Sequence, residues 1–206
     1  MNVLLVNGSP HKKGCTYTAL QEVAGSLEKN GVQTEITWLG NESLAGCIGC
    51  GSCTESGRCF RKDIVNDFLD KVDKVNGFVF GSPVHFAAAS GALTSFMDRA
   101  FYRRGLLFRG KPAASVVSCR RGGASAALDQ INKYFSISNM PIVSSQYWNM
   151  VHGNSPEEVK QDLEGMQTMR VLGVNMAWLL KCIEAGKNAG IVLSEQEERC
   201  MTNFIR

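Results

Sequence analysis

Short apolar runs alternate with helical patterns through most of this chain. The first run, residues 3–6, reads Val-Leu-Leu-Val and stops at Asn7-Gly8-Ser9-Pro10, as expected of a strand that is buried on both faces. After it, apolar residues at steps of three and four predict a helix over residues 16–30. Since alternating strands and helices imply a parallel sheet with helices on both faces, the pattern predicts an α/β fold.

The alternation continues to about residue 150 and predicts five strands. They are expected at residues 3–6, 32–39, 77–80, 113–117 and 141–147, with helices at residues 16–30, 64–75, 90–103 and 124–135. All 206 residues are expected to form a single domain, because no linker, repeat or low-complexity tract interrupts the chain.

The C-terminal part predicts one long helix over about residues 156–186. Ser155-Pro156-Glu157-Glu158 offers an N-cap, a proline at the first helical position and a capping-box glutamate. The helix carries an apolar stripe made of Leu163, Met166, Met169, Leu172, Met176, Leu179 and Ile183. Such a stripe is typical of core packing, and a subunit interface is the alternative.

Charge and hydropathy argue against nucleic acid as a partner and against a membrane span. The 22 basic and 19 acidic residues are scattered in both signs, so the net charge of +3 gives no footprint of a nucleic-acid binder. The apolar runs are far shorter than the roughly 20 residues that cross a bilayer, and no cleavable leader is recognised. A cytoplasmic protein that acts on a small ligand is therefore expected.

The loop at residues 8–16 has the composition of a phosphate-binding loop. It leads into a helix N-terminus, and Ser9 and Thr16 add hydroxyl donors to the backbone N–H groups. A Walker loop is disfavoured because Cys15 follows Gly14, and the dinucleotide fingerprint Gly-x-Gly-x-x-Gly is absent after the first strand. The alternative interpretation is a polar connector with an ordinary N-cap.

Eight cysteines are present, and four of them form a C-x2-C-x2-C-x5-C array at Cys47, Cys50, Cys53 and Cys59. Four soft thiolates at this spacing suit an iron-sulfur cluster or zinc, and an unmetallated or redox-switching loop is a third interpretation. The isolated residues, Cys15, Cys119, Cys182 and Cys200, are expected to be small buried side chains.

A second Gly-Ser-Pro follows the third strand at Gly81-Ser82-Pro83, and with the first loop it resembles the flavodoxin-like NAD(P)H-dependent FMN reductases over residues 1–150. The resemblance implies a flavodoxin-like three-layer sandwich with a five-stranded parallel sheet in the order 2-1-3-4-5. Members of that family commonly carry Arg where His11 stands and Asn where Cys15 stands, so phosphate contacts there are expected to come from the backbone.

The resemblance also implies an FMN site formed by three loops. Phe96-Met97-Asp98-Arg99 matches a family segment that borders the flavin ring, and Pro83 to Phe86 are expected along that ring. The implied FMN-binding residues are Ser9, His11, Gly14, Cys15, Thr16, Pro83, Val84, His85, Phe86, Ser118, Gly122 and Gly123.

The cysteine array before the second long helix resembles the iron-sulfur flavoproteins, in which FMN and a [4Fe-4S] cluster share one polypeptide. That branch implies an FMN-dependent oxidoreductase that passes electrons between cluster and flavin, with no catalytic side-chain acid or base. Reduced ferredoxin or NAD(P)H is the implied donor, a small molecule or a protein the acceptor, and a homodimer or homotetramer the assembly. The alternatives are an FMN or quinone reductase without a cluster and a non-enzymatic thiol or flavin redox sensor.

Overall fold

Six strands form one sheet in the computed structural model, which describes residues 1–102, 105–198, 200–202 and 204. They are β1 (Asn2–Asn7), β2 (Gln33–Trp38), β3 (Gly77–His85), β4 (Ala88–Ala89), β5 (Ala113–Cys119) and β6 (Met150–His152). Five run parallel in the order β2-β1-β3-β5-β6, and β4 pairs antiparallel with the end of β3. Without β4 the order is 2-1-3-4-5, which confirms the predicted sheet.

Helices cover both faces of the sheet. They are α1 (Cys15–Lys29), α2 (Ser52–Ser56), α3 (Ile64–Val72), α4 (Gly91–Phe101), α5 (Gly105–Phe108), α6 (Ala124–Ile137), α7 (Pro156–Gln161) and α8 (Leu163–Asn188). One apolar cluster joins α1 and α8 to the sheet, and a second cluster joins α3, α4 and α6 to the opposite face. The predicted three-layer arrangement is confirmed.

The apolar run of β1 serves both faces of the sheet. Val3 and Leu5 belong to the cluster beneath α1 and α8, whereas Leu4 and Val6 belong to the cluster beneath α3, α4 and α6. All four are at most 1% exposed. Burying such a side chain stabilises the fold by roughly 1.5–3 kcal/mol, so a central strand without polar positions is favoured here.

The predicted fifth strand at residues 141–147 is wrong. That segment contributes only an isolated bridge between Ala113 and Ile142, and the edge of the sheet is completed by β6 instead. The Ser145 hydroxyl donates to Thr168 O, and the Asn175 side chain donates to Ser144 O. These side-chain hydrogen bonds draw residues 144–145 towards α8 and away from a strand ladder.

The predicted helix over residues 156–186 is two helices. Asp162 interrupts it with a ψ of 78°, and its carboxylate accepts a hydrogen bond from Gly165 N at 2.9 Å, so it caps α8. The predicted start at Pro156 is correct, since the Ser155 hydroxyl accepts from Glu158 N. Met166, Met169, Leu172 and Met176 of the apolar stripe are buried, as core packing predicts, whereas Leu163 is 76% exposed.

Other boundaries differ by a few residues. The second predicted helix ends at Val72, and the strand predicted at residues 77–80 continues to His85. Arg103, the last residue of the helix predicted at 90–103, lies outside the described residues. Within the described ranges, no helix combines the length and the apolar character that a membrane span requires.

Candidate functional site

Three loops meet at the carboxyl ends of β1, β3 and β5, which is where open α/β sheets bind ligands. Gly8 N donates to Gly81 O at 2.9 Å, and a Cβ on Gly8 would lie 2.7 Å from the Leu93 side chain. The Ser90 hydroxyl donates to Gly8 O at 2.7 Å, while Ser90 N donates to the Ser82 hydroxyl at 2.9 Å. These bonds fix the first loop against the second.

The first loop, residues 8–14, is held from within and by β2. Buried Ser9 accepts a hydrogen bond from His11 N at 3.1 Å, and its carbonyl accepts one from the Trp38 indole at 2.8 Å. Gly14 is the N-cap of α1 and makes no side-chain cap bond, so the first-turn amides can receive an anion. Lys12 lies over the Trp38 ring, 5.6 Å from its centroid, and adds positive charge.

Thr16, in the first turn of α1, and Ser118, near the end of β5, join the first loop to the strand that leads into the third loop, residues 120–123. Their hydroxyls lie 2.8 Å apart, and both residues are buried. Nearby, the Cys15 thiol donates towards Gly153 O at 3.7 Å, and burial raises the pKa of this thiol. Cys15 is therefore a neutral group at the first position of α1.

The second loop is a two-residue hairpin between β3 and β4, with Phe86 and Ala87 at its tip. Their φ angles are +49° and +59°, which type I′ turns require and which non-glycine residues rarely adopt. Phe86 is fully exposed and His85 is exposed, whereas Pro83 and Val84 are partly buried. Gln130 accepts a hydrogen bond from Ala89 N at 3.0 Å and holds the hairpin against α6.

The third loop reaches the hairpin at Gly123. This residue has a φ of +86°, and a Cβ there would lie 2.6 Å from the Cα of Ala87. By contrast, a Cβ on Gly122 would meet no atom within 4 Å. The segments that carry the twelve residues predicted for the flavin thus contact one another at Gly8 and Gly81, at Thr16 and Ser118, and at Gly123 and Ala87.

The cysteine segment, residues 46–60, lies between β2 and α3. The short helix α2 starts after Gly51 and ends before Gly57, whose φ angles are +76° and +67°. All four array cysteines, which are Cys47, Cys50, Cys53 and Cys59, line one cavity together with Arg61, Arg99 and Tyr102. The glycines allow the tight backbone path that places the four cysteines around this cavity.

Several groups donate or share hydrogen bonds with these sulfurs. Gly49 N donates to Cys47 Sγ at 3.5 Å, and Arg99 Nε donates to Cys59 Sγ at 3.4 Å. A hydrogen bond with the Ser52 hydroxyl lowers the pKa of the Cys50 thiol. Each contact stabilises a sulfur that carries negative charge.

The donor set fits a thiolate-bound metal, although the thiols do not converge on one point. In the part of the chain that the structure describes, no three His, Cys, Asp or Glu side chains are close enough together to hold a metal ion. The four cysteines are free thiols, and Arg61 Nε is buried with no acceptor among the described residues. Since Arg61 also lines the cavity, its positive charge favours a sulfur-rich anion there.

Two expectations from the sequence are corrected. The segment at Phe96 to Arg99 does not border the flavin loops: Phe96 and Met97 are buried in the core, and Arg99 contacts the cysteine segment. Of the isolated cysteines, Cys119 is buried, but Cys182 and Cys200 are exposed. Cys182 lies on the part of α8 that faces solvent, so its place on a helix did not predict its burial.

Sequence reasoning missed the polar groups that hold the site together. Ser90 and Asp63 are N-cap residues, and an N-cap pattern could have found both. Asn66 and Trp38 gave no signal, because their partners are distant in sequence or are backbone atoms.

The fold and the three loops define a flavodoxin-like flavoprotein. Residues 1–155 match the sequence model of the NADPH-dependent FMN reductase family, and the chain belongs to that family. An iron-sulfur flavoprotein of Methanocaldococcus jannaschii is 33% identical over 192 residues, which cover 89% of this chain and 100% of the relative. The chain therefore belongs to the iron-sulfur flavoprotein branch and is an FMN-dependent oxidoreductase.

Solved structures agree on the fold. The flavodoxin, WrbA-like protein from Agrobacterium tumefaciens has a TM-score of 0.64 at 15% identity, covering 88% of this chain and 98% of the other. The NAD(P)H:quinone oxidoreductase from Methanothermobacter marburgensis has a TM-score of 0.65 at 15% identity, covering 85% and 96%. At this identity the likeness shows the fold alone.

Proposed function

We propose that this protein passes electrons between a [4Fe-4S] cluster, held by Cys47, Cys50, Cys53 and Cys59, and FMN held by the three loops. The observation that carries the proposal is the cavity that all four array cysteines and two arginines line together. Four soft sulfur ligands suit such a cluster, and the cations suit its net negative charge. The names of the relatives support the same assignment.

The chain's own residues bind and orient FMN. The phosphate is proposed at the first turn of α1, where uncapped amides and the charges of Lys12 and Lys13 favour an anion. Pro83 to Phe86 would lie along the ring, and Ser118, Gly122 and Gly123 would supply the third part of the pocket. When bound, FMN supplies the exchange between one- and two-electron chemistry, so no side-chain acid or base is needed.

Reduced ferredoxin or NAD(P)H is the proposed donor, and a small molecule or a protein is the proposed acceptor. A homodimer or homotetramer is proposed as the assembly. The exposed aromatic side chains Tyr147, Trp148 and Trp178 support this, since such residues are enriched at interfaces.

The test is elemental analysis of protein purified without oxygen, because air degrades clusters of this kind. About four iron and four sulfide per FMN are expected in the wild-type protein. The Cys50→Ser variant is expected to lose iron and sulfide but to keep FMN, because Cys50 lies outside the three loops. Cys182→Ser is the matched control, since Cys182 is an exposed free thiol on α8.

Other results would contradict the proposal. FMN without iron or zinc would favour an NAD(P)H-dependent flavin reductase. Zinc alone would make the cysteine segment a structural clip. Cluster content unchanged in Cys50→Ser would remove Cys50 from the ligand set.

A further inference from the structure

Arg99 is a buried cation that the flavin site does not use. Its side chain on α4 is 1% exposed, and a buried charge is tolerated only when it is paired and hydrogen-bonded. Its guanidinium forms a two-bond pair with Asp63, with N–O distances of 2.7 and 2.8 Å. Asp63 is in turn fixed as the N-cap of α3, where it accepts from Val65 N.

The rest of the guanidinium reaches both ends of the cysteine segment. The Nη1 atom that pairs with Asp63 also donates to Ala45 O at 3.3 Å, just before the segment, and Nε donates to Cys59 Sγ at 3.4 Å. All three guanidinium nitrogens are therefore engaged. A planar guanidinium can donate all of these hydrogen bonds at the same time, whereas a lysine ammonium group cannot.

Cys59 is also held through its backbone. The buried side chain of Asn66 accepts from Cys59 N at 3.0 Å and donates to Cys59 O at 2.9 Å. Cys59 is thus anchored to α3 through its main chain and to α4 through its sulfur. The other three array cysteines have no comparable pair of anchors among the described contacts.

We propose that Arg99 is a positioning residue that orients Cys59 as a cluster ligand and raises the reduction potential of the cluster. The inference rests on the proposed function. Hydrogen bonds to cluster sulfurs and nearby positive charge both favour the reduced, more negative state. Asp63 offsets part of the charge, so the hydrogen bond to sulfur and the rigid placement of the ligand are the main contributions.

The test is a potentiometric titration of anaerobically reconstituted protein, followed by electron paramagnetic resonance of the reduced cluster. Iron, sulfide and FMN are quantified first. In the titration one electron passes from a reduced dye mediator to each cluster, and no covalent bond forms or breaks. The variants are Arg99→Gln and Arg99→Lys. The control is Arg58→Gln, because Arg58 adjoins Cys59 but pairs with Asp70.

At the wild-type midpoint, the ratio of reduced to oxidised cluster in Arg99→Gln is expected to fall about tenfold, which for one electron is about 59 mV. Arg99→Lys keeps the charge and loses the planar guanidinium, so a fall of about threefold is expected. Arg58→Gln is expected to match the wild type. A residue with only a structural role would change cluster content but not this ratio.

An unchanged midpoint in a fully loaded Arg99→Gln protein would overturn the inference. If Arg99→Gln does not fold, an unchanged midpoint potential in Arg99→Lys would overturn the inference instead. An equal shift of the midpoint potential in Arg58→Gln would also overturn the inference. Wild-type protein that binds FMN but assembles no iron and sulfide would contradict the proposed function itself. The two failures are therefore distinguishable.

Discussion

Single contacts hold the proposed flavin site together. The buried hydroxyls of Thr16 in α1 and Ser118 in β5 share a hydrogen bond, and Gly123 lets the third loop contact the hairpin tip. None of these residues offers an acid or a base to the reaction. At the residue scale, their contribution is to hold together the loops that are proposed to bind FMN.

Gly123→Ala is expected to destabilise the protein by about 2 kcal/mol or more and to weaken FMN binding. An added Cβ would combine a positive φ with backbone overlap at Ala87. Gly122→Ala is the control, and it should change stability by less than about 0.5 kcal/mol because its site is open. Urea unfolding with fluorescence of released FMN measures both quantities. Equal effects of the two substitutions would contradict the described contact.

Thr16→Val and Ser118→Ala are each expected to cost about 1–2 kcal/mol of unfolding free energy. Each leaves one buried hydroxyl without its partner. The double variant should cost less than the sum, with a coupling of about 1 kcal/mol, because neither hydroxyl is then stranded. Strict additivity in chemical denaturation would show that the two hydroxyls do not interact.

Cys50 is expected to be the more reactive of two named thiols in metal-free protein. Its pKa is lowered by the Ser52 hydroxyl, so its thiolate forms at lower pH, whereas burial raises the pKa of Cys15. Iodoacetamide should alkylate Cys50 first at neutral pH, and its rate should level off at a lower pH than that of Cys15. Peptide mapping by mass spectrometry follows both sites.

Ser52→Ala should move the alkylation profile of Cys50 to higher pH. Ser56→Ala is the control, because among the described residues that hydroxyl bonds to backbone carbonyls of the same segment and to Arg58 N, and not to a cysteine sulfur. A shift in the control variant, or none in Ser52→Ala, would assign the reactivity of Cys50 to another cause.

At the scale of elements, the hairpin between β3 and β4 carries backbone strain. Its tip has Phe86 and Ala87 where hairpins of this type prefer Asn-Gly. Strain of this kind persists only where the surroundings enforce it, and here Gln130 and Gly123 do so. The strained tip presents an exposed phenyl ring beside the proposed flavin site.

Ala87→Gly is expected to stabilise the protein by about 0.5–1 kcal/mol. Glycine removes the cost of a Cβ at positive φ, and this gain exceeds its extra chain entropy. Ala88→Gly, one residue along in β4, should instead destabilise by about 0.5–1 kcal/mol. Thermal unfolding with bound and with removed FMN compares the variants. Destabilisation by both would show that the turn is not strained.

At the scale of the whole molecule, the sequence predicted the sheet better than the site. The continuous apolar run at residues 3–6 was enough to predict a central strand, because a strand that is buried on both faces has no polar positions. The three-residue β6 is too short for such a pattern, and residues 141–143 carry apolar side chains without forming a ladder. The local hydrophobic pattern predicts strands poorly at the edge of a sheet. There, hydrogen bonds to a helix that is distant in sequence determine the path of the backbone.

Chain order predicted that the loops after the strands lie at one edge of the sheet, and the resemblance to the FMN reductases implied which of their residues bind the flavin. Arg99 could not be assigned to the cysteine segment in this way. Its partners Asp63, Cys59 and Ala45 are each tens of residues away in the chain, and no periodicity links them. Hydrogen bonds between side chains of different helices and loops are the part of the site that the sequence pattern cannot predict.

Metal removal is expected to leave the fold intact. In the described part of the chain, neither apolar cluster draws a buried member from residues 46–60. Chelation should therefore preserve far-ultraviolet circular dichroism and FMN content, while trypsin gains access to Arg58. Gel analysis of the digest and the ratio of FMN to protein measure this. Cooperative unfolding on chelation would show that the segment is part of the core.

Helix α4 contacts the first loop and β3 at its cap, Ser90, and the cysteine segment at Arg99. Nine residues at about 1.5 Å each set a rise of about 14 Å between these two points. One inserted residue would turn Arg99 by about 100° and carry it away from Asp63 and Cys59. The number of residues in α4 thus sets the distance and the rotation between the two sites. Insertions and deletions that keep this geometry must therefore lie in the loops around the helix.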